Sequence, residues 1–158
     1  MKLSEHFTLE EMIFSATAES KGIDNTPKGQ DLENLKYTCS QLEIVRNILG
    51  NNSISVSSGY RGEKLNAAVG GVSTSAHNKG LAADFTCKAY GDTRKIVKGV
   101  LEASRVEQLA FDQLILEMPD TPNSWVHIGF KQDGKGMRNQ ILTMKKVNNK
   151  STYFNGIV

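Results

Sequence analysis

The run from Leu32 to Leu49 constrains the fold most. Leu32, Leu35, Cys39, Leu42, Val45 and Leu49 recur at steps of three or four, which lines one face of a helix over several turns. A continuous apolar face of that length must be buried against a second layer of structure. Thr26 is placed to cap the helix start, Pro27 suits the first helical position, and Gly50 supplies the stop. An earlier helix is signalled in "HFTLEEMIFS", where Thr8 is the N-cap and Glu11 its capping-box partner. Phe7 and Met12 take the staple positions, and the turn-rich "SKGIDNTP" ends this helix near Ala18.

The second layer is read from runs that alternate. "SISVSSGY" and "GLAADFTC" are bounded by turns and predict strands, with a short helix, "EKLNAAV", between them. "GDTRKIVKGVLEASRVEQ" predicts a helix capped by Asp92 or Thr93, burying Ile96, Val97, Val100 and Leu101. "FDQLILEM" and "SWVHIGF" predict two further strands, and the loop "PDTPN" is short enough to join them as an antiparallel hairpin. "NQILTMKKV" predicts an edge strand. These elements make an α+β domain, a small and mainly antiparallel sheet flanked by helices.

A chain of 158 residues predicts one domain with its own core, with 131–158 as a C-terminal strand and tail of unassigned role. A net charge of +2 gives no case for a nucleic-acid partner, and the mildly basic "MKKVNNK" reads as a solvated strand or tail. No apolar run is long enough to span a membrane. "MKLSEHFTLEEM" has no apolar core of a signal peptide, so synthesis in the cytoplasm is expected, and the chain is expected to be a monomer. Cys39 and Cys87 lack a C-x-x-C spacing; buried free thiols and a disulfide both remain open.

The stretch "STSAHNKGLAADF" follows neither a core strand nor an amphipathic helix. In "LAADF", Asp84 shares a face with Ala82, while Leu81, Ala83 and Phe85 take the other. His77 precedes the strand in a loop, and Gly80 lets that loop turn back, because glycine takes positive φ without steric cost. In "SWVHIGF", Val126, Ile128 and Phe130 form one face; Trp125, His127 and Gly129 form the other. If this strand lies beside that of Asp84, two imidazoles and one carboxylate converge. Three protein ligands with a fourth position open are the pattern of a catalytic zinc, whereas a closed structural site takes four ligands, usually with Cys. Taken singly, Asp84 reads as a capping or hydrogen-bonded carboxylate and His127 as a core histidine satisfied by backbone; taken with the residues around them, they do not. His6, just before the Thr8 cap, is assigned no role.

The surrounding residues carry a resemblance. "SSGYRGEKLNAAVGGVSTSAHNKGLAADF", followed by "WVHIGF", resembles the zinc D-Ala-D-Ala carboxypeptidase family, which includes D-Ala-D-Ala dipeptidases and phage L-alanyl-D-glutamate endolysins. The family fingerprint S-x-H-x-x-G-x-A-x-D, then a strand histidine, is matched at Ser75, His77, Gly80, Ala82, Asp84 and His127. The preceding S-G-Y-R and its Asn are matched at Ser58, Gly59, Tyr60, Arg61 and Asn66. "FTLEEM" and "LENL…LEIVRNILG" are similar to the phage-associated branch. The resemblance spans roughly residues 5 to 130 and implies that His77, Asp84 and His127 bind Zn2+ in a cleft on the sheet. It further implies that Arg61 steadies the substrate carbonyl or its oxyanion, and that Ser75 hydrogen-bonds the substrate peptide. Many members carry an Asp or Glu three residues before the last histidine as general base. Here that position is Ser124. Glu117, at the end of the neighbouring strand, is the first candidate to replace it; Asp120 and Asp112 compete.

The function expected on this footing is a zinc metallopeptidase of peptidoglycan stem peptides or cross-links, of endolysin or D,D-carboxypeptidase type. It would reach the wall after holin-type release or as a virion component. The rival, favoured by Ser124, is a non-catalytic module that keeps the metal and binds a wall peptide or a virion partner. A cytosolic D,D-dipeptidase is a third reading.

Overall fold

The computed structural model describes all 158 residues. Helices α1 (Leu9–Ile13), α2 (Ala16–Lys21) and α3 (Gln30–Ile48) come first. Strand β1 (Ser55–Ser58), helix α4 (Glu63–Ala68), a 3-10 turn (Ala76–Lys79) and strand β2 (Ala82–Thr86) follow. Helix α5 (Thr93–Arg105), the hairpin β3 (Gln113–Glu117) and β4 (Trp125–Gly129), and a second hairpin β5 (Gln140–Val147) and β6 (Lys150–Asn155) complete the chain. The six strands form one sheet in the order β1-β2-β4-β3-β5-β6. Every pairing is antiparallel except β3 with β5. The α+β class expected from the pattern is the observed one. No helix is long and apolar enough to cross a membrane.

The α3 face predicted from the periodicity is the heart of the core. Leu35, Cys39, Leu42, Val45 and Leu49 are fully buried, together with Phe85, Leu114, Leu116, Val126 and Ile128 from the facing strands and Ile96, Val97 and Val100 from α5. Burying each such side chain is worth roughly 1.5–3 kcal/mol relative to exposing it. Leu32 and Leu101 are only partly buried. Cys39 and Cys87 are both buried and free. Burial pushes the Cys39 thiol up to about 12, which makes it an inert core residue.

Three boundaries differ from expectation. The first helix does not run to Ala18 but breaks at Phe14 into α1 and α2. Two carbonyls at the end of α1 are claimed from outside: Met12 O accepts from Tyr60 N and Ile13 O from Asn25 Nδ2. The Ser15 hydroxyl then caps a new helix at Ala18 N. Neither Thr26 nor Pro27 opens the long helix, which begins after Gly29 with no side-chain cap. Residues 23–28 are held as a loop because Asn25 bridges Tyr60 O and Gly62 N and Thr26 N donates to Asp24. Finally, β5 is not an edge strand. The expected tail folds back as β6 through Asn148 and Asn149, both at positive φ, the backbone of a tight two-residue hairpin turn.

Candidate active site

Strand register brings the chemistry together. Asp84 pairs with His127 across β2 and β4, and His127 pairs with Ile115, and Trp125 with Glu117, across β4 and β3. Directly paired residues project from one face, so Asp84, His127, Trp125 and Glu117 all stand on the sheet face opposite the core. Gln113 and Ile115 share this face with Glu117, and the β3–β4 register lays Glu117 beside the His127 strand.

His77 reaches this face from its 3-10 turn, and α3 fixes that turn. Asn34 Nδ2 donates to Lys79 O at 3.0 Å and Thr38 Oγ1 to Gly80 O at 2.6 Å. Gly80 sits at φ +76°, and a Cβ there would stand 2.7 Å from Asp31 O, so only glycine lets the turn lie this close to the helix. On the other side, the β1–β2 ladder slips between Val56 and Ser58. Just past the irregularity, Gly59 O lies 2.6 Å from His77 Nδ1. A Cβ on Gly59 would meet Met12 O at 2.3 Å, which excludes any larger residue.

The ligand atoms of His77, Asp84 and His127 all lie within 4.8 Å of one another. His77 Nε2 is 3.3 Å from Asp84 Oδ1, and His127 Nδ1 is 2.9 Å from the same oxygen. His77 and Asp84 are well shielded from solvent, with side chains 2% and 15% exposed. The chemistry of this donor set fits a cation. Gly59 O only accepts, so His77 Nδ1 carries the proton, and in a neutral ring Nε2 then presents a lone pair to a carboxylate oxygen. Two acceptors face each other unless a second proton or a metal cation intervenes. All three ligand atoms stand close enough together for a single cation to be held by His77, Asp84 and His127. Burial opposes the charge on Asp84, but His127 and, when its Nε2 also carries a proton, His77 outweigh it and hold the carboxyl below its ordinary range.

Glu117 has the opposite electrostatics. It is 7% exposed. Burial first, and the neighbouring Asp84 charge second, push its carboxyl up to about 7, against the pull of His127, the nearby Trp125 N–H and Arg61. The competing carboxylates are occupied elsewhere. Asp120 is exposed and paired with Arg94. Asp112 is held by Arg138 through both carboxylate oxygens. The Ser124 hydroxyl is turned away from the histidines, donating to Glu117 O and meeting Thr93 Oγ1.

These groups open into a cleft of about 860 Å³ that Arg61, Ser75, His77, Asp84, Glu117 and His127 help to line. Arg61 N is tied to His77 O, while Arg61 Nε is buried without a hydrogen-bond partner. Ser75 Oγ accepts from His77 N at 3.3 Å, so it caps the 3-10 turn as well as facing the cleft. Two groups that the sequence left without a role join the site. Trp125, the single tryptophan, lines the cleft with its indole N–H buried and unpaired, and the Gly59 carbonyl orients His77. Trp125 was detectable as the one bulky residue on the histidine face of its strand; a carbonyl leaves no mark in a sequence.

The model of the family described as peptidase M15 matches residues 5–129. No curated protein matches the chain.

Proposed function

The chain belongs to the peptidase M15 family, a family of zinc-dependent peptidases acting on peptidoglycan, and from that premise we propose that it hydrolyses an amide bond in peptidoglycan stem peptides or cross-links. The observation that carries this reading is the convergence, on one sheet face, of a His–Asp–His cluster and a separate buried carboxylate of raised pKa. His77, Asp84 and His127 would hold the metal. When bound, zinc supplies a Lewis acid that polarises the scissile carbonyl and acidifies water.

The chain's own groups divide the rest of the reaction. Gly59 O fixes the His77 tautomer, so that Nε2 is left free to coordinate. A Glu117 carboxylate oxygen takes the proton of the attacking water and delivers it to the leaving nitrogen as the C–N bond breaks. Arg61, whose Nε lacks a partner, donates to the oxyanion that develops on the carbonyl oxygen. The buried Trp125 N–H lies beside the Glu117 carboxyl and favours its ionised form. Ser75, already engaged with His77 N, presents its remaining hydrogen-bonding capacity to the substrate.

The test is hydrolysis of purified cell wall by zinc-loaded protein, with chelator and added zinc as controls, beside the Glu117→Gln variant. The expected result is cleavage abolished by chelator and restored by zinc. Glu117→Gln should keep its zinc and lose roughly a hundredfold or more in rate. Cleavage by the variant at the parent rate would remove Glu117 from the reaction. A zinc-loaded parent protein that binds wall but cuts nothing would favour the non-catalytic reading, for which the serine at position 124 is the supporting observation.

A further inference from the structure

The hairpin of β5 and β6 lies beyond the family-matched residues 5–129, yet it extends the face that carries the site. Register runs from Trp125 to Glu117, from Glu117 to Met144, and from Met144 to Tyr153. Residues paired in this way share a face, so Tyr153 stands on the same side as His127 and Glu117. It lines the same cleft as His77, Asp84 and His127, as does Ser151. Met144 is 4% exposed and Tyr153 54% exposed, so Tyr153 is not a core residue filling space under the sheet. Its phenol is pushed upward by burial and by the charges of Glu117 and Asp84, which places the ring within electrostatic reach of the site.

Distance gives this position its meaning. Strands β4 and β6 are three places apart in the sheet, on the order of 14 Å at about 4.8 Å per strand. Tyr153 lies level with Trp125, two residues along β4 from His127, so the His127 and Tyr153 backbones stand about 16 Å apart, roughly five residues of extended peptide at about 3.3 Å each. A dipeptide held at the His–Asp–His cluster, about 7 Å of extended chain, spans less than half of that backbone distance. A half-open tyrosine presents a flat apolar face to aliphatic side chains and peptide planes, and a hydroxyl to their polar groups.

We propose that Tyr153 is a substrate-binding residue that holds the part of the peptide remote from the scissile bond, so that the site selects an oligopeptide of about five residues over a dipeptide. This rests on the peptidase reading above for the identity of the ligand, but binding can be followed apart from cleavage. Trp125 is the single tryptophan and lies in the cleft, so its fluorescence reports occupancy directly. The probes are an uncross-linked pentapeptide stem ending in D-Ala-D-Ala, and free D-Ala-D-Ala. Both are titrated into full-length, zinc-loaded Glu117→Gln protein, where turnover is slowed, and into the same protein carrying Tyr153→Ala or Tyr153→Phe.

The expected result is pentapeptide binding at least tenfold tighter than dipeptide binding. Tyr153→Ala should remove about tenfold of the pentapeptide affinity and leave dipeptide binding unchanged, and Tyr153→Phe should retain most of it. Equal response to the two peptides, or to neither, overturns the inference. So does a Tyr153→Ala variant that binds the pentapeptide as its parent does, or one that weakens both ligands alike, the mark of a merely structural role. Wall hydrolysis by the protein with Glu117 intact is read separately. Length-dependent binding without any cleavage would sink the peptidase reading and leave the role of Tyr153 standing.

Discussion

Glu117 is held where its charge is costly, and that cost is measurable. In metal-free protein its carboxyl titrates near 7 in the folded state, against an ordinary value of 4.5. Between those values the folded protein binds more protons than the unfolded chain, so this group's stabilising contribution is complete below about pH 4.5 and is lost as pH rises through 7. Glu117→Gln removes the titration. In chelator the variant is therefore expected to be the more stable protein at pH 8, by up to about 3 kcal/mol, with the advantage shrinking toward pH 4.5. Denaturant unfolding at a series of pH values checks this; parallel curves for the two proteins would contradict it. Arg61→Lys tests the next residue. It keeps the charge and loses the planar fork, so normal zinc content with a rate lowered on the order of ten- to a thousandfold is expected, and unchanged kinetics would take Arg61 out of the site. At this scale much was legible. Side-chain alternation in "LAADF" and "SWVHIGF" separates Asp84 and His127 from the core without any coordinates. What the sequence left open was whether Glu117, Asp112 or Asp120 faces the histidines, because that depends on hairpin register and on which arginine each aspartate meets.

The elements matter to the site through what they hold still. Helix α3 does two jobs with two faces. Its apolar face fills the core, and its buried polar residues Asn34 and Thr38 grip the backbone of Lys79 and Gly80, just after His77. The apolar face was readable from periodicity. The grip was not, because a Thr and an Asn in a helix look the same in sequence whether they meet solvent or a carbonyl. Thr38→Val keeps the shape and deletes the donor. It is expected to loosen the His77 turn and weaken zinc binding about tenfold, the lower end of what losing a supporting contact around a metal ligand costs. Global stability should fall by only about 1–3 kcal/mol, the cost of leaving Gly80 O without its partner. Competition against a chelator of known affinity, beside a thermal melt, separates the two effects. Other boundaries escaped the sequence for a related reason. The break at Phe14 and the late start of α3 are set by hydrogen bonds that Tyr60 and Asn25 make to partners distant in the chain. The β6 strand had a local signal, Asn148 and Asn149 between two runs of strand-forming residues, and was missed because the second run is short and mostly exposed.

Across the whole molecule, core and site lie on opposite faces of one sheet. Ala83, Phe85, Leu114, Leu116, Val126 and Ile128 point into a cluster of 22 buried residues, while Asp84, His127 and Glu117 point the other way. The strands are thus clamped from the core side whatever sits on the other, and none of the three cluster residues belongs to that core. Removing the metal should therefore cost its binding energy and no more of the fold. Zinc at a thousandfold excess over its dissociation constant stabilises by about 4 kcal/mol. For a domain of this size each kcal/mol moves the melting temperature by about 2–4 °C. In chelator the protein is expected to keep its far-ultraviolet circular dichroism and a cooperative melt, with the midpoint lowered on the order of 10 °C and restored by zinc. The same chelated protein should bind no zinc after His77→Ala, and its melt should then be indifferent to added metal. Loss of the cooperative transition at 25 °C in chelator would mean that the cluster staples the β2–β4 pair, and the separation of faces would not be what keeps this chain folded.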